Sequence, residues 1–306
     1  MKGNTKRKVL ISTSSFGEFD DRPLQMLKAA GLDVQLNPYH RTLTREESVS
    51  LGEPAEGLIA GTEILDKKVL AKLKRLRVIS RCGAGLDNID LDAARKQGMQ
   101  VFSTPYGPTA AVSELTVGLI LTLLRHVLRM DRDIRAGKWQ KRMGNLLQGK
   151  KVGVIGFGRI GQKVAELLMS LGTQIAYCDP AVTEIKPGYQ RMSLDQILAW
   201  ANIVTIHASG KGPLLGHEEL RKMKKGSWLV NCARGGTVNE KALYQVLQEG
   251  WLSGAAVDVF NQEPYAGPLA ELDNVILTPH IGSYAVESRV DMEVQAVKNL
   301  IKGLKE

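Results

Sequence analysis

The sequence predicts an α/β protein of two units, one of them a doubly wound parallel sheet of the Rossmann type. Three observations predict it. Short apolar runs alternate with helical patterns along most of the chain. One run, Val152-Gly153-Val154-Ile155, leads straight into Gly156-Phe157-Gly158-Arg159-Ile160-Gly161, a GxGxxG turn between a strand and an amphipathic helix. The length, 306 residues, exceeds what one hydrophobic core usually serves.

In chain order, Val9-Leu10-Ile11, Gly57-Leu58-Ile59-Ala60 and Val78-Ile79 read as strands, with helices over 23–30 and 67–76. Met99-Gln100-Val101-Phe102 is a further strand. Continuous apolar strands of this kind suit a parallel sheet covered on both faces. Residues 103–108 are rich in turn formers and mark a crossover to the second unit. Residues 113–128 are apolar almost all round, with Ser113 able to cap. Such a helix wants burial inside its domain or at a subunit interface. The polar, irregular stretch 130–151 carries Trp139, Met143, Leu146 and Leu147, and reads equally as a surface loop or as an arm reaching another chain. From Lys151 the alternation is more regular. Strands are expected at 151–155, 174–178, 203–206, 228–232, 254–257 and 275–278, and helices at about 160–171, 193–200, 217–224 and 239–249. Ser193 and Gln196 form a capping-box pattern. Six strands with crossover helices are what a dinucleotide-binding fold needs. Residues 287–304 form a last amphipathic helix.

Composition narrows the function classes. Hydrophobic residues make up 43% and charged residues 24%, ordinary for a globular protein. The formal charge of +9 raises nucleic acid or an anionic surface as partners. The basic runs at 2–8 and 221–225 read instead as solvated surface, the second at a helix C-terminus where cations are favourable. No nucleic-acid motif accompanies them, so no nucleic-acid partner is expected. Cys82, Cys178 and Cys232 form no close pair, which argues against a disulfide framework or a zinc site, and no metal is expected. The N-terminal apolar run stops at Ser12, too short for a signal-peptide core. The longest greasy stretch, 115–124, is about half a membrane span. The expectation is a cytoplasmic protein without a membrane partner.

The glycine turn has a physical reading. Gly156 permits the tight turn, Gly158 lets backbone approach a pyrophosphate, and Gly161 lets helix and strand pack closely. The helix N-terminus, with Arg159 and Ile160, offers free N–H groups to phosphates. Asp179 lies 18 residues past Gly161 at the end of the next strand, where a carboxylate accepts hydrogen bonds from a ribose diol. It would repel a 2′-phosphate, and no Arg or Lys follows it within the next few residues, so NAD is favoured over NADP.

Three polar residues stand just past strand ends in the second unit, where ligands of open α/β sheets bind. Arg234 precedes Gly235-Gly236, and its planar guanidinium can grip a carboxylate with two parallel bonds and polarise a neighbouring carbonyl. Glu263 and His280 would form a carboxylate–imidazole pair suited to general acid/base work near neutral pH. Each alone has a structural reading: an Arg caps carbonyls, and a lone His is more often a simple hydrogen-bonding group. Together they supply what reduction of a 2-oxo acid requires, namely a cation for the carboxylate, a polarised carbonyl and a proton donor beside a hydride source.

With these residues in view, the chain resembles the D-isomer-specific 2-hydroxyacid dehydrogenases, in their phosphoglycerate dehydrogenase-like branch, over about residues 8–304. The resemblance is carried by Arg81-Cys82-Gly83-Ala84-Gly85-Leu86-Asp87-Asn88-Ile89-Asp90, by Ser113-Glu114-Leu115-Thr116, by Gly156 to Gly161 with Asp179, and by Asn231-Cys232-Ala233-Arg234-Gly235-Gly236, the 258–264 stretch and Pro279-His280. It implies that the N–H groups of Ala84 and Gly85 hold the substrate carboxylate. It implies that Arg234 binds and polarises the substrate, His280 is the acid/base, Glu263 tunes it, and Asp258 holds the nicotinamide carboxamide. His207 and Ala233 would join the NAD contacts. A flavodoxin-like α/β substrate domain at 1–103 and 283–306, a Rossmann domain at 104–282, a cleft between them closed by hinge motion, and a homodimer are further implications. One departure stands out: His207-Ala208-Ser209-Gly210-Lys211-Gly212-Pro213 is shorter by about three residues than the family's loop and lacks its early proline.

The leading expectation is therefore an NAD-dependent oxidoreductase acting on a D-2-hydroxy acid and its 2-oxo acid, with 3-phosphoglycerate/3-phosphohydroxypyruvate as a candidate pair and Lys141, Arg142 and Arg81 as candidate phosphate cations. Glyoxylate or hydroxypyruvate reduction is the enzymatic alternative. A non-catalytic NAD(H)-sensing corepressor is the alternative from another class, and an intact Arg234, Glu263 and His280 set has no obvious use there.

Overall fold

The computed structural model describes residues 6–184, 187–208, 210 and 212–306. The chain divides into two units, one of residues 1–108 with 283–306 and one of residues 109–282. The first crossover falls after Pro108 rather than at 103/104. Thr104 exchanges two hydrogen bonds with Gly83 (Thr104 N–H to Gly83 O, 3.0 Å; Gly83 N–H to Thr104 Oγ1, 2.7 Å), which keeps this stretch with the first unit.

The first unit opens with β1 (Lys8–Ile11), α1 (Arg22–Ala29), β2 (Asp33–Leu36), α2 (Arg45–Gly52), β3 (Gly57–Ala60), α3 (Lys67–Leu70), β4 (Val78–Arg81), α4 (Leu91–Lys96) and β5 (Gln100–Ser103). All five strands are parallel, in the order β2-β1-β3-β4-β5. That is the flavodoxin-like order, whose switch point lies between β1 and β3.

Three elements escape a search for apolar runs. β2 is an edge strand with little burial and no apolar face. α2 starts at a Thr44–Glu47 capping box and α4 at Asp90, whose carboxylate accepts from Ala93 N–H at 2.8 Å. The helix expected over 67–76 stops at Leu70, and Leu73 and Leu76 are buried from turns instead.

The second unit runs α5 (Pro108–Arg125), α6 (Val127–Arg135), β6 (Lys151–Ile155), α7 (Arg159–Ser170), β7 (Gln174–Cys178), β8 (Gln190–Arg191), α8 (Leu194–Trp200), β9 (Ile203–Ile206), α9 (His217–Lys222), β10 (Trp228–Asn231), α10 (Glu240–Gln248), β11 (Gly254–Val257) and β12 (Val275–Leu277). The seven parallel strands lie in the order β12-β11-β10-β9-β6-β7-β8. This is the doubly wound arrangement with its switch between β6 and β9. β8, two residues long, is the strand the sequence reading omits.

α5 is long and apolar enough by length and composition to cross a membrane, yet half of it is buried. Val112, Leu119, Ile120, Leu123 and Leu124 pack with Val152, Val154, Val230 and Ala256 of the sheet, as in a core helix. Ser113 does not cap this helix. It lies inside it, and its hydroxyl donates back to Thr109 O at 2.7 Å. His126, with φ +53°, separates α5 from α6. The irregular stretch is thus 136–150, because α6 occupies its beginning.

The final helix, α11 (Val286–Lys305), belongs to the first unit. Met292, Ala296, Val297, Leu300 and Leu304 cover Val9, Ile11, Ile59 and Val78 on one face of the five-stranded sheet. The alternate residues Leu10, Leu58, Ala60 and Ile79 face Val69, Leu70, Ala93 and Ala94 on the other.

Candidate active site

At the switch point of the seven-stranded sheet, β6 ends in the glycine turn. Gly156 has φ +88°, and a Cβ there would overlap the backbone of His207 and Ala208 at the end of β9. A Cβ on Gly161 would overlap the Gly156 carbonyl. Gly158 differs: a Cβ there would meet nothing within 4 Å. Two glycines therefore serve the fold, and the middle one leaves open space above the α7 N-terminus. Gly158 is the N-cap of α7 and provides no side-chain cap, so the first-turn N–H groups remain available to an anion.

Asp179 is aimed at this turn. Its carboxylate accepts from Phe157 N–H at 2.7 Å and from Ala181 N–H at 2.8 Å. Beside the turn, His207 Nε2 pairs with Thr205 Oγ1 at 2.9 Å, while its buried Nδ1 has no hydrogen-bond partner among the described residues. Burial pushes this imidazole down to about 3, so it is neutral. Ser209 and Lys211, in the short loop that follows, lie outside the described residues.

Past β10, Asn231 shapes the Arg234 loop. Its Oδ1 accepts from Ala233 N–H at 3.1 Å and its Nδ2 donates to Arg234 O at 3.3 Å. Arg234 is partly buried, and its Nη1 donates to Ala233 O at 2.7 Å. A Cβ on Gly235 would overlap the Phe260 carbonyl, so the Arg234 loop sits directly on the turn after β11. In that turn Phe260 N–H donates to Glu263 Oε1 at 3.0 Å, and Glu263 Oε2 meets His280 Nδ1 at 2.8 Å. A chain of contacts thus links Arg234, Glu263 and His280 at the carboxyl ends of β10, β11 and β12.

Burial raises the Glu263 carboxyl, but the hydrogen bonds from His280 and Phe260 N–H, with the His280 charge, outweigh it and leave Glu263 below the usual carboxylate range. The paired Nδ1 leaves the opposite ring nitrogen of the half-exposed His280 to exchange a proton.

His280 has φ +53°, a conformation uncommon outside glycine. Asp258, buried at the end of β11, holds it there. The Asp258 carboxylate accepts from Thr278 Oγ1 at 2.6 Å, Ile281 N–H at 2.8 Å and Gly282 N–H at 2.9 Å, bracketing the histidine on both sides. Burial still pushes this carboxyl up. Asn231 and Thr278 escape the sequence reading because a polar residue at a strand end carries no signal of its partner.

Ala84 and Gly85 belong to the first unit, in the loop after β4. Among the described residues their N–H groups donate to no group within the protein, while the loop on either side is hydrogen-bonded.

The family profile of the D-isomer specific 2-hydroxyacid dehydrogenase NAD binding domain matches residues 117–282. The chain belongs to this family. It is 41% identical over 259 residues to the glyoxylate reductase of Thermofilum pendens, covering 80% of this chain and 76% of that one. It is 36% identical over 312 residues to the D-3-phosphoglycerate dehydrogenase of Pongo abelii, covering 97% of this chain but 57% of the relative, so it spans little more than half that protein's length. A crystal structure of a Thermus thermophilus protein superposes with a TM-score of 0.91 at 35% identity, over 97% of each chain. The dehydrogenase is thus an NAD-dependent oxidoreductase acting on a CH–OH group of a small 2-hydroxy acid.

The residues present fit NAD. Open space over Gly158, uncapped N–H groups on α7, the carboxylate of Asp179 and the Nδ1 of His207, unpartnered among the described residues, gather at one switch point. They match a dinucleotide's pyrophosphate and ribose in charge and hydrogen-bonding type.

Proposed function

We propose that the dehydrogenase interconverts a short D-2-hydroxy acid and its 2-oxo acid, with Arg234, Glu263 and His280 as its reacting set. The observation that carries this is the 2.8 Å pairing of His280 Nδ1 with Glu263 at the carboxyl end of the dinucleotide sheet. When bound, NAD supplies the hydride acceptor, and NADH the donor. Glu263 fixes the imidazole tautomer, so Nε2 takes the hydroxyl proton in oxidation and returns it in reduction. Arg234 holds the substrate carboxylate and polarises the adjacent carbonyl. In the first unit, the N–H groups of Ala84 and Gly85, which donate to no protein group among the described residues, are the carboxylate-binding groups in this proposal. Asp258 keeps His280 in its left-handed turn.

The geometry favours an unphosphorylated substrate such as glyoxylate or hydroxypyruvate. Arg142, one cation available for a phosphate, is engaged by Asp133 at 2.8 Å and Gln140 at 3.0 Å. The second reading, 3-phosphohydroxypyruvate, is supported by Arg81 beside the substrate loop. NADH oxidation with glyoxylate, hydroxypyruvate, pyruvate and 3-phosphohydroxypyruvate tests both. Highest kcat/KM on glyoxylate or hydroxypyruvate is expected. Preference for the phosphorylated acid would move the assignment to the second reading, and no turnover on any of the four would overturn the function.

The dehydrogenase pairs with a second copy of itself in this proposal. Val127, Leu128, Ile134, Leu146, Trp139 (84% exposed) and Met143 (94% exposed) leave a run of large apolar side chains uncovered over α6 and 136–150. Light scattering at the mass of a monomer would overturn the pairing.

A further inference from the structure

The loop proposed to hold the substrate carboxylate contains no helix and only one positive-φ glycine, Gly83 at +146°. Two local turns shape it, Gly83 N–H to Arg81 O and Ile89 N–H to Leu86 O (each 3.0 Å), and partners from elsewhere in the chain fix both its ends. On the entering side, Thr104 grips Gly83 twice: Gly83 N–H donates to Thr104 Oγ1 at 2.7 Å, and Thr104 N–H donates to Gly83 O at 3.0 Å. Thr104 is only 1% exposed, so this pairing is shielded from water.

On the leaving side, Asn88 Nδ2 donates to Glu63 O at 2.7 Å and to Gly61 O at 3.3 Å. Leu65 N–H donates to Asn88 O at 2.8 Å, and Asp90 N–H donates to Leu65 O at 3.0 Å. The 61–65 segment is itself fixed by a buried carboxyl. Glu63, 1% exposed, accepts from Gly61 N–H at 3.0 and 3.2 Å and bonds the Ser12 hydroxyl at the end of β1. Between the two grips lie Ala84 and Gly85, the residues whose N–H groups have no partner within the protein among the described residues.

We infer that Thr104 and Asn88 are positioning residues for the oxo-acid carboxylate, acting as the two ends of a clamp that holds the Ala84 and Gly85 N–H groups in place. The inference rests on the functional reading above, in which those N–H groups bind the substrate. Neither side chain needs to touch the substrate. Each removes a freedom of the loop that binding would otherwise have to remove, and preorganisation of this kind appears in ligand affinity.

The test compares Thr104→Val, Thr104→Ser and Asn88→Ala with the wild type, each saturated with NADH. Oxalate, a planar dicarboxylate, is titrated calorimetrically into the enzyme–NADH complex, and KM for glyoxylate is measured beside it. Thr104→Val keeps the shape and deletes the shorter of the two acceptors of the Gly83 N–H, leaving only Arg81 O at 3.0 Å, so the oxalate Kd and the glyoxylate KM should each rise about three- to tenfold. NADH affinity should stay within about twofold, and Thr104→Ser should return both values to near wild type. Asn88→Ala should reproduce the effect, and it carries the test if Thr104→Val does not fold. Wild-type oxalate affinity in Thr104→Val, or a parallel loss of NADH affinity, would overturn the clamp alone. A wild-type enzyme that binds NADH but no oxalate would overturn the clamp and the functional reading together.

Discussion

Two loops of this dehydrogenase present backbone N–H groups from the carboxyl end of a parallel strand, and they are built in opposite ways. The dinucleotide turn at 156–161 gets its shape from itself: two of its glycines are forced by close backbone approaches, and a twelve-residue helix begins inside it. The loop at 82–90, proposed above to hold the substrate carboxylate, adds to its local turns two remote grips, Thr104 on one side and the 61–65 segment on the other. The difference teaches where tolerance lies. A self-shaped loop fails at its own residues, whereas a clamped loop fails at residues a reader would not think to change.

The hardest way to break the first loop is Gly161→Val. Its side chain would run into the Gly156 carbonyl, and a loss of about 3 kcal/mol or more of stability is expected, visible as insoluble protein or a sharply lowered Tm. His280→Gln should leave both loops intact and remove the proton exchange. Turnover should then fall by about two to four orders of magnitude with NADH affinity unchanged, as single-turnover kinetics and fluorescence titration would show. Undiminished turnover would refute the acid/base role.

Gly158→Ala sharpens the comparison from within the first loop. The added methyl meets open space at φ −73°, so Tm should hold or rise slightly, while NADH affinity drops about tenfold because the methyl occupies room left for the pyrophosphate. An unchanged NADH Kd would mean that the opening over Gly158 serves something else.

The smallest effect expected is a pH effect at His207. Its folded-state value, about 3, lies below the ordinary 6.5. Between those values the unfolded chain binds the proton and the folded chain does not, so stability falls as pH drops below about 6.5. The loss should be on the order of 1–2 kcal/mol by pH 5. His207→Gln should flatten that part of a Tm-against-pH curve, and an unflattened curve would place the acid sensitivity elsewhere.

The same contrast explains what could be read from the amino acids alone. The glycine turn, Asp179 and most strands of the larger sheet were legible because their causes are local: spacing, apolar runs and turn chemistry. Arg234, Glu263 and His280 were legible as strand-end residues, and the structure links them through Gly235, Phe260 and the Glu263–His280 bond. Thr104, Asn88 and Glu63 were not legible in these roles, since their partners lie 21, 25–27 and 51 residues away in the chain. β2 was missed because an exposed edge strand has no hydrophobic face, and Ser113 was misread as a cap because Pro108 had already begun the helix five residues earlier.

The return of α11 to the first sheet has a consequence for biosynthesis. A ribosome completes the larger unit as one uninterrupted stretch, and that unit can organise while synthesis continues. The smaller sheet has to wait: until α11 emerges, Val9, Ile11, Ile59 and Val78 lack the apolar cover it gives them on one side. The nascent chain therefore carries an uncovered apolar sheet face on the unit whose strands are made first, and that face is one a chaperone would protect.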